Sequence, residues 1–248
     1  MALAKQAKVI SVEKWNEWTC RVACEMATPE PLRFTGGQYI IVNSGIPLPN
    51  GKMGKRAYSI PSPDSDSKGF ELVVRRIPGG TGSGFIHSLV PGEAFEFSGP
   101  WGKYLPPATH ENLNHILVVA TDTGLTAALG LVNGRNFSRF LSSTQLIWFV
   151  ESDTYFTPPS FLKEHIPHGL QWKKIWIPKV GDDSRVDFCK GCVSDLFEKD
   201  GVDRVYLSGD GKVLLGLEDS FLTHGYRKDQ IVTETFFNHK ELKTANVS

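Results

Sequence analysis

The sequence is short of the features that most simply announce a function. Its 27 Lys and Arg are matched by 27 Asp and Glu, so no long-range field marks nucleic acid or an anionic membrane as the main partner. No window reaches the roughly 20 apolar residues of a membrane span. The N-terminus, Met1-Ala-Leu-Ala-Lys-Gln-Ala-Lys, lacks the apolar run of a signal peptide, and a cytoplasmic protein is expected. Four cysteines are too few for a disulfide scaffold at this length. Cys189 and Cys192 are spaced Cys-x2-Cys, but zinc would need two further ligands, and Cys20 and Cys24 lie at the other end of the chain. Reduced thiols and no metal site are the expectation. No Cys-x4-Cys-x2-Cys run encodes a plant-type iron-sulfur cluster. Gly-x-Ser-x-Gly, a complete Gly-x4-Gly-Lys-Ser/Thr loop, and His-Glu-x-x-His are all missing, which removes the common hydrolase, phosphate-loop and zinc-protease patterns. There is no internal repeat and no low-complexity segment.

What is present divides in two. At 248 residues the chain has room for two modest domains. Residues 8–12, 19–26, 39–42, 70–75 and 94–97 are short β-rich runs separated by Gly, Pro, Asn and Asp, as in an antiparallel barrel or sandwich. Leu105-Pro106-Pro107-Ala108 stiffens a connection, and the boundary is placed there: 1–108, then 109–248. Beyond it strand and helix alternate. Apolar runs at 116–120, 146–150, 175–177, 205–207 and 231–232 accompany helix-compatible stretches at 125–132, 161–165, 193–198 and 213–224. That rhythm predicts a parallel α/β sheet, with Ala120-Thr121-Asp122-Thr123-Gly124 and Ser208-Gly209-Asp210-Gly211 at strand ends where nucleotides bind.

The stretch richest in chemistry is Lys55-Arg56-Ala57-Tyr58-Ser59-Ile60, followed by Pro78-Gly79-Gly80-Thr81-Gly82-Ser83-Gly84-Phe85. A cation, a phenol and a hydroxyl on one strand match a pyrophosphate, a flat ring and a heteroatom. Glycines let backbone approach a ligand closely, Ser83 can cap a short helix, and the exposed amides at a helix start suit a phosphate. Each feature alone is also what a surface cation, a strand aromatic or a plain glycine turn would look like. Their order makes them informative.

In that order the chain resembles the ferredoxin-NADP reductase superfamily over nearly its whole length, in particular the bacterial ferredoxin reductase and oxygenase-reductase branches. Gly37-Gln38-Tyr39, Arg56-Ala57-Tyr58-Ser59 and Gly80-Thr81-Gly82-Ser83 stand for the family's Gly-Gln-Tyr, Arg-x-Tyr-Ser and Gly-x-x-Ser segments. Pro91-Gly92-Glu93 and Gly99 to Tyr104 are similar to turns closing its flavin barrel, Gly191-Cys192-Val193-Ser194-Asp195 to a nucleotide-domain segment, and Glu234-Thr235-Phe236 to its terminal Glu-x-Phe. The resemblance implies FAD as cofactor, with NADH or NADPH as co-substrate and a ferredoxin, flavodoxin or oxygenase-type protein as electron acceptor. It implies that Arg56 neutralises the FAD pyrophosphate and Tyr58 stacks beside the isoalloxazine, next to Ala57. Ser59 would bond near N5, Gly80, Gly82 and Ser83 would hold phosphate oxygens, and Phe236 and Phe237 would pack near the outer flavin face. Thr123, Gly124, Glu151 and Gly209 fall to the nicotinamide nucleotide, and Ser59, Ser208 and Glu234 to the reacting atoms. Lys52 to Arg56 would contribute to a docking surface for an acidic carrier, with Lys173-Lys174 a weaker candidate.

Two segments depart from the family pattern. Ala-Gly-Gly-Thr-Gly-Ile-x-Pro becomes Ala120-Thr121-Asp122-Thr123-Gly124-Leu125-Thr126-Ala127, and Cys-Gly-Pro-Pro-x-Met becomes Ser208-Gly209-Asp210-Gly211-Lys212-Val213. Asp122 brings negative charge toward a pyrophosphate unless Lys212 or a helix terminus offsets it. A flavin-binding electron-transfer subunit with an altered or inactive nicotinamide pocket is therefore the alternative. The second strand of this half ends in Glu151-Ser152-Asp153-Thr154, acids that accept from ribose hydroxyls and repel a 2'-phosphate, a lean toward NADH. Solvated loop acids would look the same.

Overall fold

The computed structural model describes residues 4–65, 68–152, 155–199 and 201–237, for 195–199 and 237 the backbone alone. Six strands form the first sheet: β1 (Lys5–Lys14), β2 (Thr19–Met26), β3 (Tyr39–Pro47), β4 (Met53–Ser59), β5 (Gly69–Arg75) and β6 (Ala94–Trp101), in the order β4-β3-β6-β1-β2-β5. Every pairing is antiparallel. Alternate residues such as Val22 and Cys24, Ile40 and Val42, and Leu72 and Val74 point inward, joined by Phe70, Phe95 and Phe97, to make the core that the β-rich runs predict. The terminal strands β4 and β5 share no ladder but face one another across a cleft. A short helix, α1 (Thr81–Ser88), follows β5 and lies against this gap.

The second sheet is wholly parallel. Its strands β7 (Ile116–Thr121), β8 (Thr144–Val150), β9 (Gln171–Trp176), β10 (Arg204–Asp210) and β11 (Ile231–Phe237) take the order β11-β10-β7-β8-β9. All six residues of β7 are buried, because helices cover both faces. Val118, Ala120, Leu146 and Trp148 pack with α2 (Leu125–Val132) and α3 (Pro159–His165). Leu117, Val119, Ile147 and Phe149 face the other way, toward α4 (Ser184–Lys199) and α5 (Gly211–Thr223). The expected helix at 193–198 is only the end of α4. The helix starts at Ser184, whose amide and hydroxyl both donate to the Asp182 carboxylate, at 2.9 and 2.7 Å. The last strand runs five residues beyond its expected end at 232, since its parallel ladder with β10 continues through the polar residues to Phe237.

The two halves are stitched by polar contacts. Asp64 accepts from the amides of Gly36 (3.0 Å) and Arg135 (2.9 Å). His165 of α3 meets Glu71 of β5 at 3.0 Å, and Arg21 of β2 bridges Glu71 and Glu164. Among the described residues no helix is long and apolar enough to cross a membrane, and no group of His, Cys, Asp and Glu could hold a metal ion.

Candidate FAD and nucleotide site

The cleft between β4 and β5 has a volume of about 210 Å³. Strand β4 supplies Arg56, Ala57, Tyr58 and Ser59 in succession, a run that the edge position of the strand leaves accessible. From β5 and the turn after it come Val73, Val74, Arg75 and Ile77, then Gly80, Gly82 and Ser83 of the helix start. The second domain closes the cleft with Thr123, Thr126 and Phe236.

The donor set fits a flat, anionic ligand. The amides of Thr81, Gly82 and Ser83 open α1 and find no acceptor among the described residues. The Ser83 hydroxyl instead ties the turn, accepting from the Ile77 amide at 3.0 Å and donating to the Gly80 carbonyl at 3.4 Å. The free first-turn amides thus face the lining of the cleft with the positive end of the helix behind them. Arg56 is exposed and has no carboxylate partner among the described residues; its guanidinium donates only to the Lys55 carbonyl, at 2.9 Å. It is free to meet a phosphate as a two-pronged donor. Gly82 is required by close approach. A Cβ there would lie 2.5 Å from Arg56 Cγ and 3.0 Å from the Tyr58 hydroxyl, so the phosphate cradle and the β4 side chains interlock through a missing side chain. Burial pushes the Tyr58 phenol well above its ordinary range, and it stays a neutral hydrogen-bonding ring.

Arg75 is a cleft residue that sequence reasoning missed. It donates to the Tyr155 carbonyl at 2.6 Å and lies over the Tyr155 ring, 3.9 Å from its centroid, so it joins β5 to the loop after β8. The pair Arg75-Arg76 at a strand end was a visible signal, but its partner is distant in sequence.

The remaining site candidates lie elsewhere. Ser208 is fully buried; its hydroxyl donates to the Gly124 carbonyl at 3.0 Å and accepts from Tyr104 at 3.5 Å. It bridges the inter-domain connection to the β7 turn and does not line the cleft. Gly124 packs against β10, where a Cβ would lie 2.7 Å from the Gly209 Cα. Glu151 is half-buried and accepts from the Val180 amide at 2.6 Å. Glu234 is not among the residues lining the cleft and lies beside the end of β6, its Oε2 3.8 Å from where a Gly102 Cβ would stand. Burial pushes its carboxyl up to about 7. Asp153, Thr154 and the Phe237 side chain fall outside the described residues.

Asp122 is not paired with Lys212. Its partner is Arg185 of α4, with both side chains almost wholly buried, while Lys212 pairs with Asp183 at 2.6 Å. Desolvation raises the Asp122 carboxyl to about 7, with Arg185 opposing and Glu151 and Asp210 adding to the rise.

Comparison with known proteins agrees with this geometry. Residues 6–105 match the family model of the oxidoreductase FAD-binding domain. The chain is 36% identical over 125 residues to ferredoxin-NADP reductase B of Sorangium cellulosum, covering 49% of this chain and 48% of that protein. It is 35% identical over 103 residues to the phenol 2-monooxygenase reductase component DmpP of Pseudomonas sp. CF600, covering 41% and 27%. It thus spans about half or less of these relatives. A ferredoxin NADP+ reductase from Neisseria gonorrhoeae, solved with FAD and NADP, superposes with a TM-score of 0.76 at 17% identity over 96% of this chain and all of the other. Residues 6–105 are thus matched in sequence to the oxidoreductase FAD-binding domain family, and the two-domain fold of the whole chain is matched in structure by a ferredoxin NADP+ reductase.

Proposed function

We propose that the chain is an FAD-dependent oxidoreductase that accepts hydride from NAD(P)H and passes electrons one at a time to a ferredoxin-like, flavodoxin-like or oxygenase-type protein. The observation that carries this reading is the cleft shared by the two domains, with Arg56, Tyr58, Ser59 and the free α1 amides on one side and Thr123 and Phe236 on the other. FAD, when bound, supplies the capacity to take up two electrons and release them singly.

The chain's own residues would do the rest. Arg56 and the amides of Thr81, Gly82 and Ser83 would bind the pyrophosphate, and Tyr58 would orient the ring system. The hydroxyl of Ser59, a residue 5% exposed, would hold a proton at the reacting edge, and Phe236 would exclude water from the opposite face. Glu234, two residues before Phe236 on β11 and with its carboxyl near 7, is suited to carry protons between the site and solvent. Exposed Lys52 just before β4, and Lys55 and Arg56 on it, suit an acidic carrier. Four free cysteines accord with a cytoplasmic place. Glu151 at the end of β8 supports NADH over NADPH as donor.

The second reading, an electron-transfer subunit with an inactive nicotinamide pocket, is favoured by one observation: Asp122, Arg185 and Asp210 fill the strand ends of the second domain. Anaerobic stopped-flow mixing of the FAD-loaded protein with NADH and with NADPH separates the two. The reductase reading predicts bleaching of the flavin band, faster at equal concentration with NADH. No bleaching by either nucleotide would leave the second.

A further inference from the structure

Strand β5 ends the first sheet, and its side chains alternate between two faces. Phe70, Leu72 and Val74 turn into the core of that sheet. Glu71, Val73 and Arg75 turn the other way, and each meets the second domain. Glu71 faces His165 of α3 at 3.0 Å, Val73 joins the buried cluster built around β7, β8 and α2, and Arg75 reaches Tyr155 beyond β8. This outer face is a seam between the halves, and Arg75 is its end at the flavin cleft. Among the described residues that line the cleft, Arg75 alone has a side chain hydrogen-bonded across to the other domain. Its guanidinium donates to the Tyr155 carbonyl at 2.6 Å and lies 3.9 Å from the centre of the Tyr155 ring, so two separate contacts fix one cation. Burial pushes the Tyr155 phenol well above its ordinary range, with Asp122 adding to the rise, and the ring stays neutral. Tyr155 is in turn bound into the second domain. Its amide donates to the Ser152 carbonyl at 3.3 Å, its ring packs against the core, and the next residue, Phe156, is buried there.

Granted the hydride chemistry proposed above, we propose that Arg75 is a positioning residue: through Tyr155 it holds the second domain against the flavin cleft and so sets the approach of the donor's nicotinamide. Reacting atoms must come within about 3–3.5 Å, and a misplacement of about 1 Å costs on the order of a hundredfold in rate. The other polar ties, Glu71 to His165, Arg21 to Glu164 and Asp64 to the Arg135 amide, involve no residue that lines the cleft. Without the Arg75 tie they keep the domains joined, and the seam loosens only at the end nearest the reaction. Arg56, the α1 amides and Thr123 are untouched, so the loss falls on the limiting rate and not on the affinity for either nucleotide.

The test compares FAD-loaded wild type with Arg75→Ala, Arg75→Lys and Tyr155→Leu. Arg75→Lys keeps the charge and a donor for the carbonyl but lacks the planar fork, and Tyr155→Leu keeps the carbonyl but lacks the ring. One readout is flavin reduction by NADH in anaerobic stopped flow, resolved into a limiting rate and a half-saturating concentration. The other is hydrogen exchange of the Tyr155 amide, which needs no donor. In Arg75→Ala the limiting rate should fall at least about tenfold and the amide should exchange at least about fivefold faster. Half-saturating NADH and FAD affinity should stay within about twofold of wild type, because no ligand contact is removed. Arg75→Lys and Tyr155→Leu should fall between, and adding Tyr155→Leu to Arg75→Ala should cost no more than Arg75→Ala alone, since the pair acts as one unit. An unchanged limiting rate would overturn the proposal. Lost FAD affinity would make Arg75 a cofactor ligand instead, and a raised half-saturating concentration at unchanged limiting rate would make it a donor ligand. No flavin reduction by NADH or NADPH in wild type would sink the reductase reading itself, whereas unchanged amide exchange in Arg75→Ala would overturn the clamp whether or not that reading stands.

Discussion

Replacing Gly82 by alanine perturbs the cofactor site through one methyl group. The added Cβ would stand 2.5 Å from Arg56 Cγ and 3.0 Å from both Arg56 Cβ and the Tyr58 hydroxyl. Ordinary carbon contacts are about 3.5–4.0 Å, so roughly 1 Å must be recovered. Cγ and Cβ lie close to the β4 backbone and cannot swing away as a side-chain tip would. Overpacking of this kind typically costs about 1–3 kcal/mol, which corresponds to about 5- to 150-fold in Kd if it falls on the bound state. The clash is between protein atoms and so is felt without ligand as well; a helical Gly→Ala exchange alone stabilises by about 0.5–1 kcal/mol, so the apoprotein should lose at most about 2.5 kcal/mol. Gly84→Ala is the control: it adds the same methyl to the same helix where nothing lies within 4 Å. In a fluorescence titration of apoprotein with FAD, Gly82→Ala should bind at least fivefold more weakly while Gly84→Ala binds as wild type. Equal affinity of Gly82→Ala and wild type would refute the interlocked cradle, and equal loss in both variants would assign the effect to the helix backbone.

Ser208→Ala should destabilise the fold by about 1–3 kcal/mol in denaturant unfolding, because the Gly124 carbonyl and the buried Tyr104 hydroxyl lose their partner. Flavin reduction by NADH should keep its rate; a slowed rate at unchanged stability would put the hydroxyl in the chemistry. For Glu234 the sign follows from its raised pKa. A carboxyl held near 7 in the fold against 4.5 in its ordinary state binds more protons folded than unfolded, so its contribution to stability falls as pH rises from about 4.5 through 7. Glu234→Gln should therefore melt close to wild type at pH 5 and above it at pH 8. A melting difference independent of pH would show that the carboxyl titrates normally.

Much of the fold was legible because the physics is local. The apolar run 116–120 reads as a strand buried on both faces, and β7 has all six residues buried. Arg56, Tyr58, Ser59, Gly80, Gly82 and Ser83 meet in one cleft as their order implies. What escaped depends on distant pairing. Arg75 and Thr126 reach the cleft only because the sheet order carries β5 round to face β4 and the second domain docks against both. Arg185 lies 63 residues from the Asp122 it neutralises, with no spacing rule to join them. Ser208 matches the place of a reacting residue in the sequence pattern, yet its hydroxyl turns inward to Gly124 and Tyr104. That orientation is set by the packing of the inter-domain connection, which no motif encodes.

The central claim, that the β4–α1 cleft is an FAD site, meets its most direct test in the cofactor itself. The purified protein, or the apoprotein after incubation with FAD, should show a flavin absorbance band and release one FAD per chain on denaturation. A colourless protein that takes up no FAD would contradict it.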